Sequence, residues 1–187
     1  IMCGIVGGIS ERNILPILVE GLRRLEYRGY DSAGVAFKKN GSISVTKNLG
    51  RVDQLTKKLN LKTNQSNLGI AHTRWATHGI PSEKNAHPHY SKNIFVVHNG
   101  IIENHQDLRA YLKAEGIRFS TQTDTEVIGH LIRTFKEKGQ SFEKAVFNTI
   151  KKLKGAYALG IIDKNNPEQI IGVRNQSPLV LGKGFEE

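Results

Sequence analysis

Met2-Cys3-Gly4-Ile5-Val6-Gly7-Gly8-Ile9 opens the chain and contains its only cysteine. If translation starts at Met2 and that methionine is removed, Cys3 becomes the first residue and carries both a thiol and a free α-amine. An α-amine with a pKa of about 7.7–8.0 can accept the thiol proton near neutral pH, and the thiolate is the nucleophilic form. The apolar run that follows predicts a short buried strand that holds this nucleophile. A buried, unreactive cysteine is the alternative interpretation.

The composition is that of a globular protein. A length of 187 residues with 38% hydrophobic residues suits one domain with a sizeable core. A single cysteine excludes an internal disulfide and fits a reducing compartment. Because no apolar run is long enough to span a bilayer and no signal peptide precedes Cys3, we expect a cytoplasmic protein without a membrane partner. Ile1 is interpreted as a cloning remnant.

The net charge of +10 comes largely from lysines that are spread over several segments. They show no interleaving of arginine with aromatic residues, so they indicate solvated faces rather than a nucleic-acid surface. We therefore expect no nucleic-acid partner. A non-catalytic basic module that binds nucleic acid is the alternative from a different functional class.

Periodicity and turn residues predict a chain in which strands come first and last, with helices between them. Strands are predicted at 5–9, 33–39, 42–47, 68–72, 94–98, 156–162, 169–174 and 179–181. Helices are predicted at 14–25, 52–59, 104–116, 123–139 and 141–153. Asn104 could cap the third of these, Thr123 or Asp124 the fourth, and Ser141 opens the fifth. Asn40-Gly41 predicts a tight hairpin turn, a second hairpin is expected around residues 165–167, and residues 82–93 are expected to be irregular. This order favours an α+β fold with antiparallel pairing.

Four polar clusters follow predicted strands or helices, at Arg28-Gly29, 74–78, Asn99-Gly100 and Thr123-Asp124. A cysteine that attacks an amide needs an oxyanion hole, and the side-chain N–H of Asn99 with the backbone N–H of Gly100 could supply it. Arg74 could bind a carboxylate and Asp124 an ammonium group, as recognition of a free amino acid requires.

Each of these residues also has an ordinary structural interpretation. Asn99-Gly100 could form a turn, Asp124 could cap a helix, and Arg74 could form a surface ion pair. The histidines around His87-Pro88-His89 could suggest a metal site, but His-x-His in a loop is not a specific ligand spacing. We expect hydrogen-bonded structural histidines and no metal.

Taken together, the motifs resemble the glutaminase domains of the glucosamine-6-phosphate synthase family, which are class II glutamine amidotransferases. The resemblance rests on Met-Cys-Gly-Ile-Val-Gly, Leu-Glu-Tyr-Arg-Gly-Tyr-Asp-Ser-Ala-Gly, His-Thr-Arg-Trp-Ala-Thr-His-Gly, Asn-Ala-His-Pro-His, His-Asn-Gly-Ile-Ile-Glu-Asn and Thr-Asp-Thr-Glu-Val, in the family's order. It implies an N-terminal-nucleophile hydrolase fold, a four-layer αββα sandwich of two antiparallel sheets, shortened at its C-terminal end.

The resemblance also implies a mechanism and a catalytic set. Cys3 attacks the side-chain amide of L-glutamine, a thioester forms, ammonia leaves, and water releases glutamate. Asn99 and Gly100 form the oxyanion hole, while Arg28 and Gly29 position the amino terminus. No cofactor is implied.

A second set of residues is implied to bind glutamine. Arg74 binds its carboxylate, Asp124 binds its ammonium group, and Thr77 and His78 line the same pocket. The loop from Arg74 to Pro81 closes over the substrate, and its Trp75 separates the site from water and gates ammonia.

Two departures from the family pattern bear on these expectations. Ile1-Met2 precedes the nucleophile, so this form is expected to be blocked until Cys3 is exposed. Residues 2–187 are expected to be a glutaminase domain without its last strands and without the sugar-isomerase domains that pass ammonia to fructose 6-phosphate. The full-length form is expected to be a homo-oligomer. The alternative enzyme is an amidotransferase that feeds another acceptor, such as phosphoribosyl pyrophosphate.

Overall fold

The computed structural model describes residues 3–184, so the expectations about Ile1, Met2 and Glu187 concern residues outside the described range. The first half contains β1 (Gly4–Ile9), α1 (Leu15–Leu25), β2 (Ser32–Lys39), β3 (Ser42–Leu49), α2 (Val52–Leu59) and β4 (Leu68–Arg74). The second half contains β5 (His89–Ser91), β6 (Ile94–Gly100), α3 (His105–Ala114), α4 (Glu126–Glu137), α5 (Phe142–Ile150), β7 (Tyr157–Asp163) and β8 (Asn166–Asn175).

The strands form two antiparallel sheets, ordered β1-β4-β2-β3 and β5-β6-β7-β8 over the described residues. In the first sheet, Gly4 lies opposite Thr73 and Ser32 lies opposite Arg74. The start of β1, the start of β2 and the end of β4 therefore lie side by side at one end of the sheet. This register brings the N-terminal cysteine close to the loop that follows β4.

Three hydrophobic clusters define four layers. The inner cluster lies between the sheets, with Ile70 and Val97 as members from opposite sides. A second cluster joins α1 and α2 to the outer face of the first sheet, and a third joins α3, α4 and α5 to the outer face of the second sheet. Since each sheet buries both faces, the arrangement is an αββα sandwich, and the predicted fold class is confirmed.

Local signals explain several element boundaries. Pro16 lies in the first turn of α1, where its missing N–H leaves no hydrogen bond unmade. Asn40 and Gly41 have φ angles of 50° and 72°, the left-handed conformation that a two-residue hairpin between β2 and β3 requires.

Within the described range, no helix is long and apolar enough to cross a membrane.

Several sequence-based expectations about strands are wrong in detail. The first strand is only partly buried, with Ile9 exposed. Residues 179–181 form no strand, and Val180 and Leu181 are almost fully exposed, because over the described range this segment pairs with no other strand. The last hairpin turns at Lys164-Asn165, and a short strand, β5, interrupts the segment expected to be irregular.

The helix caps also differ from expectation. α4 begins at Glu126, so neither Thr123 nor Asp124 caps it. Asn104 precedes α3, but its side chain bonds to the backbone of Lys152 and Lys154 instead of capping the helix. Ser141 does cap α5, which ends three residues before the expected Leu153.

Candidate active site

Cys3 lies immediately before β1 and beside the end of β4. Its Sγ accepts a hydrogen bond from the backbone N–H of Trp75, with a sulfur–nitrogen distance of 3.2 Å. The residue is only partly exposed. Burial raises the pKa of the Cys3 thiol, although the Trp75 hydrogen bond acts in the opposite direction. The thiol therefore needs a base to become a nucleophile near neutral pH.

Asn99 and Gly100 end β6 on the opposite sheet, and the strand continues through them, so the turn interpretation is wrong. The Asn99 side-chain Nδ2 donates to the Cys3 carbonyl oxygen at 3.0 Å. Gly100 has a φ of 125°, and a Cβ there would lie 2.1 Å from the Ala156 carbonyl oxygen. Only glycine fits this position, which borders the cavity next to Cys3.

Arg74 is 3% exposed, so the surface ion-pair interpretation is wrong. Its Nη2 donates to the carbonyl oxygens of His78 and Gly79. Its Nη1 lies 4.0 Å from the Asp31 carboxylate and has no hydrogen-bond partner among the residues that the structure describes. Burial lowers the pKa of Arg74, which nevertheless remains cationic. Such a guanidinium can bind the carboxylate of a ligand by donating hydrogen bonds to it.

Asp124 lies two residues before α4, and its side chain faces the strand end instead of the helix. Its Oδ2 accepts a hydrogen bond from the Ile102 backbone N–H at 2.8 Å. Its Oδ1 lies 4.0 Å from Nδ1 of His98. The carboxylate is buried, and it lines the same cavity as Arg74. The two charges are thus available to opposite ends of one small ligand.

The loop after β4 supplies the remaining expected contacts. Thr77 and His78 both line the cavity, with Oγ1 of Thr77 3.3 Å from Nδ1 of His78. Trp75 lines it as well and is 40% exposed, with its ring edge-on to Tyr30 at 5.7 Å. The loop therefore brings polar contacts into the cavity and leaves an aromatic face at its mouth.

Arg28 and Gly29 lie next to this loop, and neither borders the cavity over the described residues. Gly29 packs against the backbone at the end of β4: a Cβ there would lie 2.7 Å from the Arg74 carbonyl carbon. Nε of Arg28 donates to the Tyr27 hydroxyl at 2.9 Å. The glycine is thus required by a close backbone approach.

The cavity is small in this conformation. Its volume is about 20 Å³, which leaves room for about one water molecule. A glutamine molecule is larger than this cavity. The lining residues are Cys3, Arg74, Trp75, Thr77, His78, His87, His98, Gly100, Thr123, Asp124 and Thr125.

Sequence reasoning did not assign Asp31 to the site and gave the buried histidines a structural role only. Asp31 accepts a hydrogen bond from the Ala76 backbone N–H and donates its own N–H to the Arg74 carbonyl at 3.1 Å. Its position two residues after the Arg28-Gly29 cluster was the available signal. His87 and His98 line the cavity, and both bond to the Thr125 hydroxyl, at 2.8 and 2.9 Å. Over the described range, no three His, Cys, Asp or Glu side chains are grouped to hold a metal.

Comparisons with known proteins agree with this geometry. A family model described as a glutamine amidotransferase domain matches residues 72–184. The chain is 54% identical to the glutamine–fructose-6-phosphate aminotransferases of Acinetobacter baylyi and Shewanella oneidensis, and 51% identical to that of Escherichia coli K12. All of this chain is covered in each case, but only 30–31% of the relative, so the chain spans about three tenths of their length.

Two solved structures show the same fold. The glutamine phosphoribosylpyrophosphate amidotransferase of B. subtilis, complexed with ADP and GMP, matches 87% of this chain and 35% of its own, with a TM-score of 0.72 and 29% identity. A glutamine aminotransferase class-II domain protein from Silicibacter pomeroyi matches 96% of this chain and 79% of its own. That match has a TM-score of 0.61 and 13% identity, so it supports the fold alone.

Proposed function

Because this chain belongs to the glutamine amidotransferase family, we propose that it hydrolyses the side-chain amide of L-glutamine as the glutaminase part of a longer enzyme. The observation that carries the proposal is the convergence on Cys3 of the Asn99 amide and the Trp75 N–H, at 3.0 and 3.2 Å from its carbonyl oxygen and sulfur. An amide donor from one sheet and a nucleophile from the other are what a tetrahedral intermediate on sulfur requires.

The chemistry runs in two halves. Once Cys3 is the first residue, its α-amine takes the thiol proton, and the thiolate forms a bond to the amide carbon of glutamine. The negative charge moves to the amide oxygen, where Nδ2 of Asn99 and the N–H of Gly100 stabilise it. Collapse of this intermediate breaks the carbon–nitrogen bond, and the ammonium form of the amine protonates the departing nitrogen, which leaves as ammonia.

In the second half, the α-amine accepts a proton from water, and the resulting hydroxide attacks the thioester carbon. The second tetrahedral intermediate breaks its carbon–sulfur bond, which releases glutamate and restores the Cys3 thiol with the returned proton. During both halves, Arg74 binds the α-carboxylate of the substrate and Asp124 binds its α-ammonium group. Thr77 and His78 contact the substrate from the loop, Trp75 covers it, and Arg28 and Gly29 position the amino terminus.

We propose fructose 6-phosphate as the acceptor of the ammonia, which would make glucosamine 6-phosphate. The support is the 51–54% identity to proteins named for that reaction, against 29% for the phosphoribosylpyrophosphate enzyme. On this proposal, residues 2–187 are the glutaminase domain, and the acceptor site lies in isomerase domains outside this chain. We further propose that the full-length enzyme is a cytoplasmic homo-oligomer that binds no nucleic acid.

The test uses the intact gene product that contains this chain. Cys3→Ala should abolish glutamate formation from glutamine. A diazoketone analogue of glutamine should label the wild-type enzyme at Cys3 only, as mapped by peptide mass spectrometry. Ammonia release that persists in the alanine variant would refute the assignment of the nucleophile. Formation of glucosamine 6-phosphate from fructose 6-phosphate, but no product from phosphoribosyl pyrophosphate, identifies the acceptor.

The role of the α-amine has its own test. If an added residue keeps Cys3 from being the first residue, its nitrogen is an amide without basicity. General-base assistance is typically worth about 10²–10⁴ in rate, so the blocked form should be slower by that factor. Mass spectrometry verifies each terminus before ammonia release is compared. Equal turnover of the two forms would disprove the amine as the base.

A further inference from the structure

His72 contacts Asn99 across the interface between the two sheets. His72 lies on β4 and is fully buried. Its Nε2 is 3.0 Å from Oδ1 of Asn99 and 2.9 Å from the carbonyl oxygen of His98, both on β6. The ring packs against that of His87, with centroids 4.1 Å apart, which holds it in this orientation.

The carbonyl oxygen of His98 determines the tautomer of His72. The His98 carbonyl oxygen can only accept a hydrogen bond, so the nitrogen that faces it must carry the proton. Burial lowers the pKa of His72 to about 3, so the ring is neutral near pH 7. The proton is therefore on Nε2, and Nδ1 carries the lone pair.

This tautomer in turn determines the orientation of the Asn99 amide. An N–H on His72 requires the oxygen of Asn99 to face it, because the NH₂ group would oppose donor to donor. The NH₂ group is then directed to the other side, where Nδ2 donates to the Cys3 carbonyl oxygen at 3.0 Å. A rotated amide would instead present its oxygen to the nucleophile and to the negative charge that develops there.

We propose that His72 is a positioning residue, whose Nε2–H holds the Asn99 side chain with its NH₂ group toward the oxyanion. This inference rests on the proposed function, because it assigns Asn99 to the stabilisation of the tetrahedral intermediate. His72 itself contacts no reacting atom. Its contribution is expected in the transition state and not in the binding of glutamine, which depends on Arg74 and Asp124.

The kinetic test compares variants of the intact gene product. His72→Leu should lower kcat by about 10- to 100-fold, part of the 10²–10³ typical of one oxyanion donor, with KM for glutamine changed less than threefold. His72→Gln, whose amide can still donate, should recover most of kcat. The double variant His72→Leu/Asn99→Ala should be no slower than Asn99→Ala alone. Additive losses would overturn the proposal.

A matched control separates positioning from general damage to the core. His130 is also buried and is hydrogen-bonded to Ser91 and Glu126, away from the cavity. His130→Leu should leave kcat within about twofold. An aldehyde analogue of glutamine forms a tetrahedral adduct on Cys3, so it should bind His72→Leu at least tenfold more weakly, whereas glutamate binding is unchanged. Equal weakening of both ligands would show a structural role only.

The tautomer of His72 can be measured in the wild-type protein, so this test does not depend on the folding of a variant. Long-range ¹H–¹⁵N spectra should show His72 protonated on Nε2 and unprotonated on Nδ1. The opposite tautomer would overturn the proposal. The two hypotheses also fail differently. If Cys3→Ala and Asn99→Ala keep their activity, the proposed function is wrong, but if they lose it while His72→Leu keeps its kcat, only the positioning role is wrong.

Discussion

The carboxylate of Asp31 accepts a hydrogen bond from the backbone N–H of Ala76, which lies 45 residues further along the chain. The Asp31 N–H also donates to the Arg74 carbonyl at 3.1 Å, and the Asp31 carboxylate lies 4.0 Å from the Arg74 guanidinium. One residue thus supports both the start of the 74–81 loop and the cation at its base.

Asp31→Ala should therefore impair glutamine binding. The loop loses its anchor and Arg74 loses its nearest carboxylate, so KM for glutamine should rise by at least tenfold, with a smaller change in kcat. Steady-state ammonia release measures both constants. The control is Asp53→Ala, which removes an exposed ion pair to Arg23 and should leave both constants unchanged. An unaltered KM in Asp31→Ala would show that the loop does not depend on this anchor.

Asp124→Asn should weaken glutamine binding without unfolding the region around it. The neutral side chain can still accept from the Ile102 N–H but cannot compensate an ammonium group, at a cost of about 2–5 kcal/mol in a desolvated site. Glutamate titration by calorimetry measures the loss in affinity. Hydrogen exchange of the α4 peptides should be almost unchanged, since Asp124 does not cap that helix. Faster exchange there, with normal affinity, would contradict the binding role.

Gly29→Ala tests the close approach of backbone to the end of β4. The added methyl group would lie 2.7 Å from the Arg74 carbonyl carbon and 2.8 Å from its oxygen, so this backbone must shift. We expect a local cost of about 1–3 kcal/mol, seen as faster hydrogen exchange over residues 68–76, together with weaker glutamine binding. Gly7→Ala on β1 is the control, because the nearest atom to its new methyl group is 3.5 Å away. Similar behaviour of the two variants would refute the packing argument.

Acid should destabilise the fold through its buried histidines. Burial lowers the pKa values of His72, His87, His89 and His98, that of His72 to about 3. Below pH of about 6.5 the unfolded chain binds protons that the folded chain does not, so the free energy of unfolding falls as pH falls. The loss is up to about 1.4 kcal/mol per pH unit for each histidine.

The pH window separates these histidines from the carboxylates. Hydrogen bonds lower the pKa of Glu126, so its contribution is lost only below pH of about 4.5, the ordinary range of a carboxyl group. Hydrogen-exchange protection factors of β4 and β6, corrected for intrinsic rates, should fall between pH 6.5 and 4.5. His89→Gln removes one titrating group and should make that fall less steep. Constant protection across the window would contradict the prediction.

Most elements could be predicted from neighbouring residues in the sequence. The apolar spacing and Pro16 predicted α1, and Asn40-Gly41 predicted the hairpin between β2 and β3, because these signals act over a few residues. The αββα arrangement was predicted from the order of the motifs and their resemblance to a family. Most residues of the candidate site were named for the same reason, and the fold brings Cys3 and Gly100 to one cavity.

Other features depended on partners that local patterns do not reveal. Residues 179–181 have the composition of a strand, but pairing requires a neighbouring edge, and over the described range they have none. Asp124 has the right side chain for a helix cap, but α4 starts beyond it and the carboxylate bonds to the Ile102 N–H. Each side chain has several satisfactory hydrogen-bond partners, and the packing of distant segments selects one.

The contact between His72 and Asn99 depends most strongly on tertiary structure. The sequence places the two residues 27 positions apart on different strands, and their types are compatible with a metal ligand or a turn as well as with a catalytic site. Only the face-to-face packing of the two sheets brings Nε2 within 3.0 Å of Oδ1 and buries the His72 ring completely. Burial then keeps the ring neutral, and the His98 carbonyl selects its tautomer, so the orientation of the Asn99 amide is decided by groups that meet only in the folded core.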